Sequence, residues 1–341
     1  MDTQIYPKVK INGVGSYLPP QIVYSDDLMA EIHSDERYNL PINWIRTVMG
    51  IEERRVADSD AKPSDLAIPA AQEALDNCKD ISPEDIDLII FCGIERDQPE
   101  PATAHTIQNA LGLNARHAFD LGNACFGFID ALEVASNYIK CGIVSHALIV
   151  TGEVPSRVMG AAINRLKIGV EIETARNIVG ALSVGDAGGA VVVGASCEDD
   201  PSGFELFNVH SYSWYVEQCK YNHDQYGNIE GQMVMGKMAS AFVKYSKTMM
   251  GETMGQLGWE KFDWMLSHQI GKKPFDRIRG MSGVRPSRMI KTFDKLGNIT
   301  TATFPVNFKK LMNESGVKSG DKIGGCFAGS GIALGQFGYV F

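Results

Sequence analysis

The chain has 341 residues, a mass of 37.3 kDa, 44% apolar and 21% charged residues, a globular composition that excludes disorder, coiled coil and collagen. Its formal charge is −9, from 32 Lys and Arg against 41 Asp and Glu, which argues against general binding to phosphate backbones and so against a nucleic-acid partner. The longest apolar run, near Leu88–Ile94, is far short of the ~20 residues of a membrane span, and the opening MDTQIYPKVK lacks the apolar stretch of a signal peptide; a cytoplasmic protein is expected.

In chain order, Ser64–Cys78 reads as a helix with Ser64 as its N-cap. Asp87–Cys92 is a short apolar strand, Thr103–Leu111 a helix, Ala118–Leu121 a strand and Cys125–Lys140 a helix. Ala147–Thr151 and Ala190–Val193 are strands, and the stretch 154–180 between them is less regular, with the character of a lid over a pocket. Phe204–Val209 is a strand and Met233–Leu257 a long helix stopped by Gly258. Trp264–Ser267 is a strand, Pro274–Gly283 and Phe304–Asn313 are helices, and Lys322–Phe327 and Ile332–Val340 are strands joined by a Gly turn. This alternation predicts an α/β fold with a mainly parallel sheet. Two halves of similar grammar, 1–195 and 196–341, have no linker between them and are expected to share one rigid body.

The seven cysteines are odd in number and none are at C-x-x-C spacing, so neither a disulfide framework nor a structural metal is expected. Cys125 stands where a strand ends and an apolar helix begins, among free N–H groups and at the positive end of the helix dipole. Both favour thiolate, which makes it a candidate nucleophile; a small residue filling a tight turn is the alternative. His268 follows the Trp264–Ser267 strand, at a strand end where sites gather. Asn298 follows Gly297 and precedes a helix, where an Asn is also a common turn residue. Gly324–Ile332 is a small-residue loop whose N–H groups can approach a ligand closely, or a simple β-turn.

In order along the chain come Ile11-Asn-Gly-Val-Gly-Ser-Tyr-Leu-Pro19, Trp44-Ile-Arg-Thr-Val-Met-Gly-Ile-Glu-Glu-Arg-Arg55, the Asn-Ala-Cys125 elbow, Val184-Gly-Asp-Ala-Gly-Gly-Ala190, Ser267-His-Gln269, Gly297-Asn298 and Gly329-Ser-Gly331. Together these resemble the thiolase superfamily, in its β-ketoacyl-ACP synthase III branch, over nearly the whole chain. The resemblance implies a five-layer αβαβα thiolase fold, a homodimer, and substrates delivered as CoA or acyl-carrier-protein thioesters with no cofactor. It implies that Cys125 takes the acyl group, that His268 and Asn298 hold the second thioester's oxygen, and that the N–H groups of Cys125 and Ser330 form an oxyanion hole. The reaction implied is a Claisen condensation.

Two departures bear on the branch. Members primed by acetyl-CoA carry an Arg four residues after the tryptophan, where this chain has Val48 after Trp44, and His268-Gln-Ile is followed by Gly271 in place of the usual Asn. Glu100 precedes Pro101 at the place where the family's dimer reaches into the partner's acyl pocket. The enzymes that condense acyl chains head to head, forming olefins, α-pyrones and dialkylresorcinols, are similar in carrying a Glu there, as a base for the α-proton. The Val150-Thr-Gly-Glu153 run also resembles this subgroup. A surface Glu capping the Thr103 helix is the plainer reading. Lys272, Lys273, Arg277 and Arg279, with Trp44, form a candidate docking face for CoA or an acidic carrier. The expected function is a ketosynthase of lipid or polyketide synthesis using Glu100 of the partner subunit. The alternatives are a decarboxylating synthase, an acyltransferase and a silent subunit.

Overall fold

The computed structural model describes residues 7–223 and 229–341; most of the polar opening stretch lies outside them. The first half runs β1 (Val9–Tyr17), β2 (Gln21–Tyr24), α1 (Ser25–Glu31), α2 (Ser34–Tyr38), β3 (Glu53–Val56), α3 (Pro63–Asp76), β4 (Leu88–Cys92), α4 (Thr103–Ala110), β5 (His117–Leu121), α5 (Gly127–Lys140), β6 (His146–Glu153), α6 (Ser156–Ile168), α7 (Ile172–Ile178) and β7 (Ala187–Ala195). The second runs β8 (Gly203–Ser211), β9 (Cys219–His223), β10 (Ile229–Met233), α8 (Met235–Leu257), β11 (Trp264–Ser267), α9 (Lys272–Ser282), α10 (Phe293–Leu296), α11 (Thr303–Glu314), β12 (Lys322–Gly329) and β13 (Ala333–Val340).

Two sheets dominate, ordered β1-β7-β6-β4-β5 and β11-β12-β13-β8. Successive side chains of a strand point to opposite faces, and the central strands are apolar on both. Leu88, Ile90 and Cys92 of β4 face α5 and α11, while Ile89 and Phe91 face α3 and α4. In the other sheet Trp264 and Leu266 face the central helices, and Met265 faces α8 and α9. The order of layers is therefore helices, sheet, helices, sheet, helices. Residues buried on both faces explain why the sequence shows short unbroken apolar runs rather than alternation.

Three expectations are corrected. The sheets are mixed: β4 pairs in parallel with β5 and β6, and β11 with β12, but β1–β7, β6–β7, β12–β13 and β8–β13 are antiparallel. Burial on both faces looks the same in sequence whichever way a strand runs. Residues 154–180 are not irregular; they form α6 and α7, whose Val158, Met159, Ala162, Ile163 and Leu166 enter the core. Ser64 is not the N-cap of α3: the helix starts at Pro63, and Asp65 accepts the N–H of Lys62 at 2.8 Å.

Candidate active site

Between β5 and α5 the chain turns sharply through Gly122–Phe126. Ala124 adopts the left-handed conformation at φ +48°, uncommon for a residue with a Cβ. The carbonyl of Asn123 accepts the N–H of Phe126 at 3.1 Å, and its side chain donates to Asp130 of α5 at 2.7 Å. This elbow presents Cys125 just ahead of the helix. The glycine loop packs against it: a Cβ on Gly329 would stand 3.0 Å from the Asn123 carbonyl and 2.9 Å from the Phe126 Cβ. Gly329 is thus a packing requirement that carries Ser330 to the elbow.

His268 extends β11 by one residue, its N–H donating to the Cys326 carbonyl at 3.0 Å. Its neighbour Gln269 is buried and accepts the N–H groups of Thr292 and Phe293 at 2.9 and 3.1 Å while donating to the Ile290 carbonyl at 2.8 Å. That network, joined by Asn307 through Thr292 at 2.8 Å, anchors the backbone beside the imidazole. Gln269 takes no part in the expected chemistry but fixes its neighbour.

Asn298 lies on a turn docked into the first half. Its N–H donates to the Ser183 carbonyl at 2.8 Å and its carbonyl accepts the Gly185 N–H at 3.1 Å. Gly185 has no room for a side chain, since its Cβ would lie 2.2 Å from the Leu296 carbonyl. Arg54 is fully buried and donates to the Leu182 carbonyl at 2.7 Å. The Val184–Ala190 and Trp44–Arg55 signatures therefore cradle the Asn298 turn.

Cys125, His268 and Asn298 meet Ser330 around one cavity. Its other walls are mainly apolar, from Met238, Phe242, Ile270, Ala328 and Ile332, as an acyl chain requires. No carboxylate lines it among the described residues. Cys219 of β9 does, a second thiol that no sequence motif singled out.

Burial sets the charges. It pushes the Cys125 thiol well above its usual range, aided by Cys219 and Glu153 nearby, against the pull towards thiolate expected from the helix N-terminus. Burial likewise pushes Cys219 up to about 11 and holds His268, 6% exposed, down at about 4. Both shifts favour the neutral forms, thiol and imidazole. Among the described residues the Nδ1 of His268 has no partner.

Glu153 at the end of β6 also escaped the sequence reading of the catalytic set. It is 1% exposed, and burial pushes its carboxyl up to about 7 against hydrogen bonds from Thr301, Thr300 and Ile94 that favour the charged form.

Glu100 stands apart from the triad of its own chain. It is exposed on the loop between β4 and α4 and does not line the cavity. Nor does it cap α4, where Asp120 of β5 accepts the N–H groups of Thr103 and Ala104 at 2.8 and 2.9 Å. Among the described residues the neighbouring strand β5 is the sheet's edge, bonded to β4 alone, and all five of its residues are half-buried. In the expected docking face, Gly271 ahead of α9 packs against Met49 of the Trp44 segment. Lys272 pairs with Asp276, and Arg279 lies 3.6 Å from the same carboxylate. Lys273 and Arg277 are exposed with no ion pair among the described residues. No described helix is long and apolar enough to cross a membrane.

Two family models match the chain, 3-oxoacyl-[acyl-carrier-protein (ACP)] synthase III over residues 119–213 and its C-terminal counterpart over residues 254–337. The β-ketoacyl-[acyl-carrier-protein] synthase III of Methylococcus capsulatus is 30% identical over 336 residues, 96% of this chain and 97% of its own. That of Neisseria gonorrhoeae is 29% identical over 346 residues, 95% and 98% of the two chains. Among solved structures, a Glu→Gln variant of Xanthomonas campestris OleA matches with a TM-score of 0.92 at 26% identity, covering 99% of this chain and 98% of that one. A Cys→Ser variant of OleA with bound lauric acid and lauroyl-CoA matches at 0.91 and 26%, covering 99% and 100%. The layered architecture is that of the thiolase fold.

Proposed function

Because the chain belongs to the 3-oxoacyl-[acyl-carrier-protein] synthase III family and is a C–C bond-forming ketosynthase, we propose that it condenses two fatty acyl thioesters head to head without loss of CO₂. The observation that carries the reading is the position of Glu100. Among the described residues the cavity supplies two thiols, an imidazole and an amide but no carboxylate base. Glu100 is exposed, is relieved of the helix cap by Asp120, and lies beside the open edge of β5. A second copy pairing along that edge would bring the partner subunit's Glu100 towards the cavity. The OleA variants alter a Glu, a Cys and a His whose separations along that chain are within one residue of those of Glu100, Cys125 and His268 here.

In the first step the Cys125 sulfur attacks the acyl thioester carbon. Its proton passes to the neutral His268 and on to the departing thiol, while the N–H groups of Cys125 and Ser330 hold the oxyanion. In the second, another acyl thioester places its carbonyl oxygen between an N–H of His268 and the amide N–H of Asn298. The partner subunit's Glu100 removes the α-proton, and the enolate carbon attacks the acyl carbon. The C–S bond breaks, Cys125 regains a proton, and a β-keto thioester is formed. Lys273 and Arg277 steer the CoA phosphates or an acidic carrier to the mouth.

The test is lauroyl-CoA as sole substrate, with and without deuterium at the α-carbon. A β-keto product that has lost α-deuterium, with no CO₂ released, is expected. Product formed only when a malonyl thioester is added, with CO₂ in step, would replace this reading by the decarboxylating one.

A further inference from the structure

The carboxylate of Glu153 joins three segments that the chain separates widely. It ends β6, accepts the N–H of Ile94 at the exit of β4 at 3.2 Å, and accepts the hydroxyl of Thr301 from the second half. Among the described residues it has no cation partner, and it does not line the cavity. The Thr301 hydroxyl is also 2.6 Å from that of Thr151. The Thr301 methyl lies 3.8 Å from where a Cβ on Gly127 would stand, at the start of α5 two residues beyond Cys125.

Thr301 closes the turn that carries Asn298. Gly297 and Thr300 both sit in the left-handed region, at φ +67° and +51°, which a Thr adopts only under constraint. The Thr300 N–H donates to Oδ1 of Asn298 at 3.1 Å. That bond points the amide N–H₂ group away from its own turn. Ser183 and Gly185 hold the turn at one end, and Glu153, through Thr301, holds it at the other.

We propose that Glu153 is a positioning residue, fixing through Thr301 the turn that presents Asn298 to the enolate oxygen across the cavity from Cys125. This rests on the role given to Asn298 above. An uncharged acceptor would meet the geometric need, and burial has indeed drawn the carboxyl towards its neutral form. The consequence is a division between the two half-reactions. Acyl transfer to Cys125 does not use Asn298, but condensation does.

The experiment compares Glu153→Gln, Glu153→Ala, Thr301→Val and Asn298→Ala. Cys125 acylation by lauroyl-CoA is followed by intact mass, and condensation is assayed with lauroyl-CoA alone and with a malonyl thioester. Glu153→Ala and Thr301→Val are expected to acylate within about threefold of wild type but to condense about 100-fold more slowly, as when one oxyanion donor is lost. Adding Asn298→Ala should cost little more, because the residues act as a unit. Glu153→Gln, which still accepts from Thr301, should largely restore condensation. The proposal is overturned if Thr301→Val leaves condensation unchanged, or if it slows acylation and condensation equally. A wild type that condenses only with the malonyl thioester would refute head-to-head condensation, while the same comparison still judges Glu153 there.

Discussion

The Asp120 carboxylate accepts the N–H of Thr103 at 2.8 Å, and this bond from β5 to the start of α4 frees Glu100 from any duty as a cap. The first N–H groups of a helix lack partners within it and are met by acceptors such as a capping carboxylate. With Asp120 bound to both Thr103 and Ala104, the Glu100 side chain is available for chemistry outside its own chain.

Glu100→Gln is therefore expected to change stability by less than ~0.5 kcal/mol, as an exposed substitution does. Condensation should fall on the order of 10²-fold or more, as on loss of a general base, with Cys125 acylation intact by mass. Asp120→Asn is the contrast: it should cost ~1 kcal/mol of stability through the weakened cap, read as a lower thermal midpoint.

His268 and Glu153 pull the pH dependence of stability in opposite directions. The folded His268 is held at about 4 against an ordinary 6.5. Its contribution is fully present above pH 6.5 and is lost as pH falls towards 4. The folded Glu153 is raised to about 7 from 4.5. Its contribution is fully present below pH 4.5 and is lost as pH rises through 7. Each is on the order of 3 kcal/mol, so the two slopes oppose each other between pH 4.5 and 6.5. Thermal midpoints across that range should rise with pH in Glu153→Gln and fall with pH in His268→Gln. Parallel curves for the three proteins would refute the assignment.

Gly329→Ala tests the packing of the elbow. The added methyl would meet the Asn123 carbonyl at 3.0 Å and the Phe126 N at 3.0 Å, both backbone atoms that cannot swing aside. A cost of ~1–3 kcal/mol from overpacking is expected. Because the strain falls on the residues flanking Cys125, acylation should slow by about tenfold or more. Gly320→Ala, with nothing near its Cβ but a positive φ, should lower stability without slowing acylation.

Among the described residues Lys273 and Arg277 are the unpaired members of the basic helix, while Lys272 and Arg279 share Asp276. Reversing the first two to Glu should raise the KM for CoA or carrier substrates several-fold with kcat unchanged. The effect should fade as salt shortens the screening length from about 10 Å at 0.1 M. Reversing Lys272 and Arg279 should have less effect on KM. Equal effects from both pairs would show that docking does not depend on the unpaired charges.

The order of strands and helices was legible because each rests on spacing within a few residues: the Leu88–Cys92 run, the apolar face of Gly127–Lys140, the Gly turn before β13. Cys125 was legible for the same reason, as a small polar break between a strand and a helix. His268 and Asn298 stood out only as strand-end and turn residues, and it was their company along the chain, as motifs, that joined them to Cys125. The mixed strand directions were not legible, because a strand buried on both faces carries no mark of its direction.

Local periodicity was enough for the α/β alternation, and the motifs in order were enough for the family, whose resemblance implied the layers and the candidate triad. Only the tertiary structure decided the protonation states and the partners. Whether Cys125 is a thiol, whether His268 is neutral, whether Asp120 or Glu100 caps α4, and that Glu153 holds Thr301 from 148 residues away all depend on burial and on contacts between distant segments. Those are sums over the whole fold, and no short window of sequence contains them.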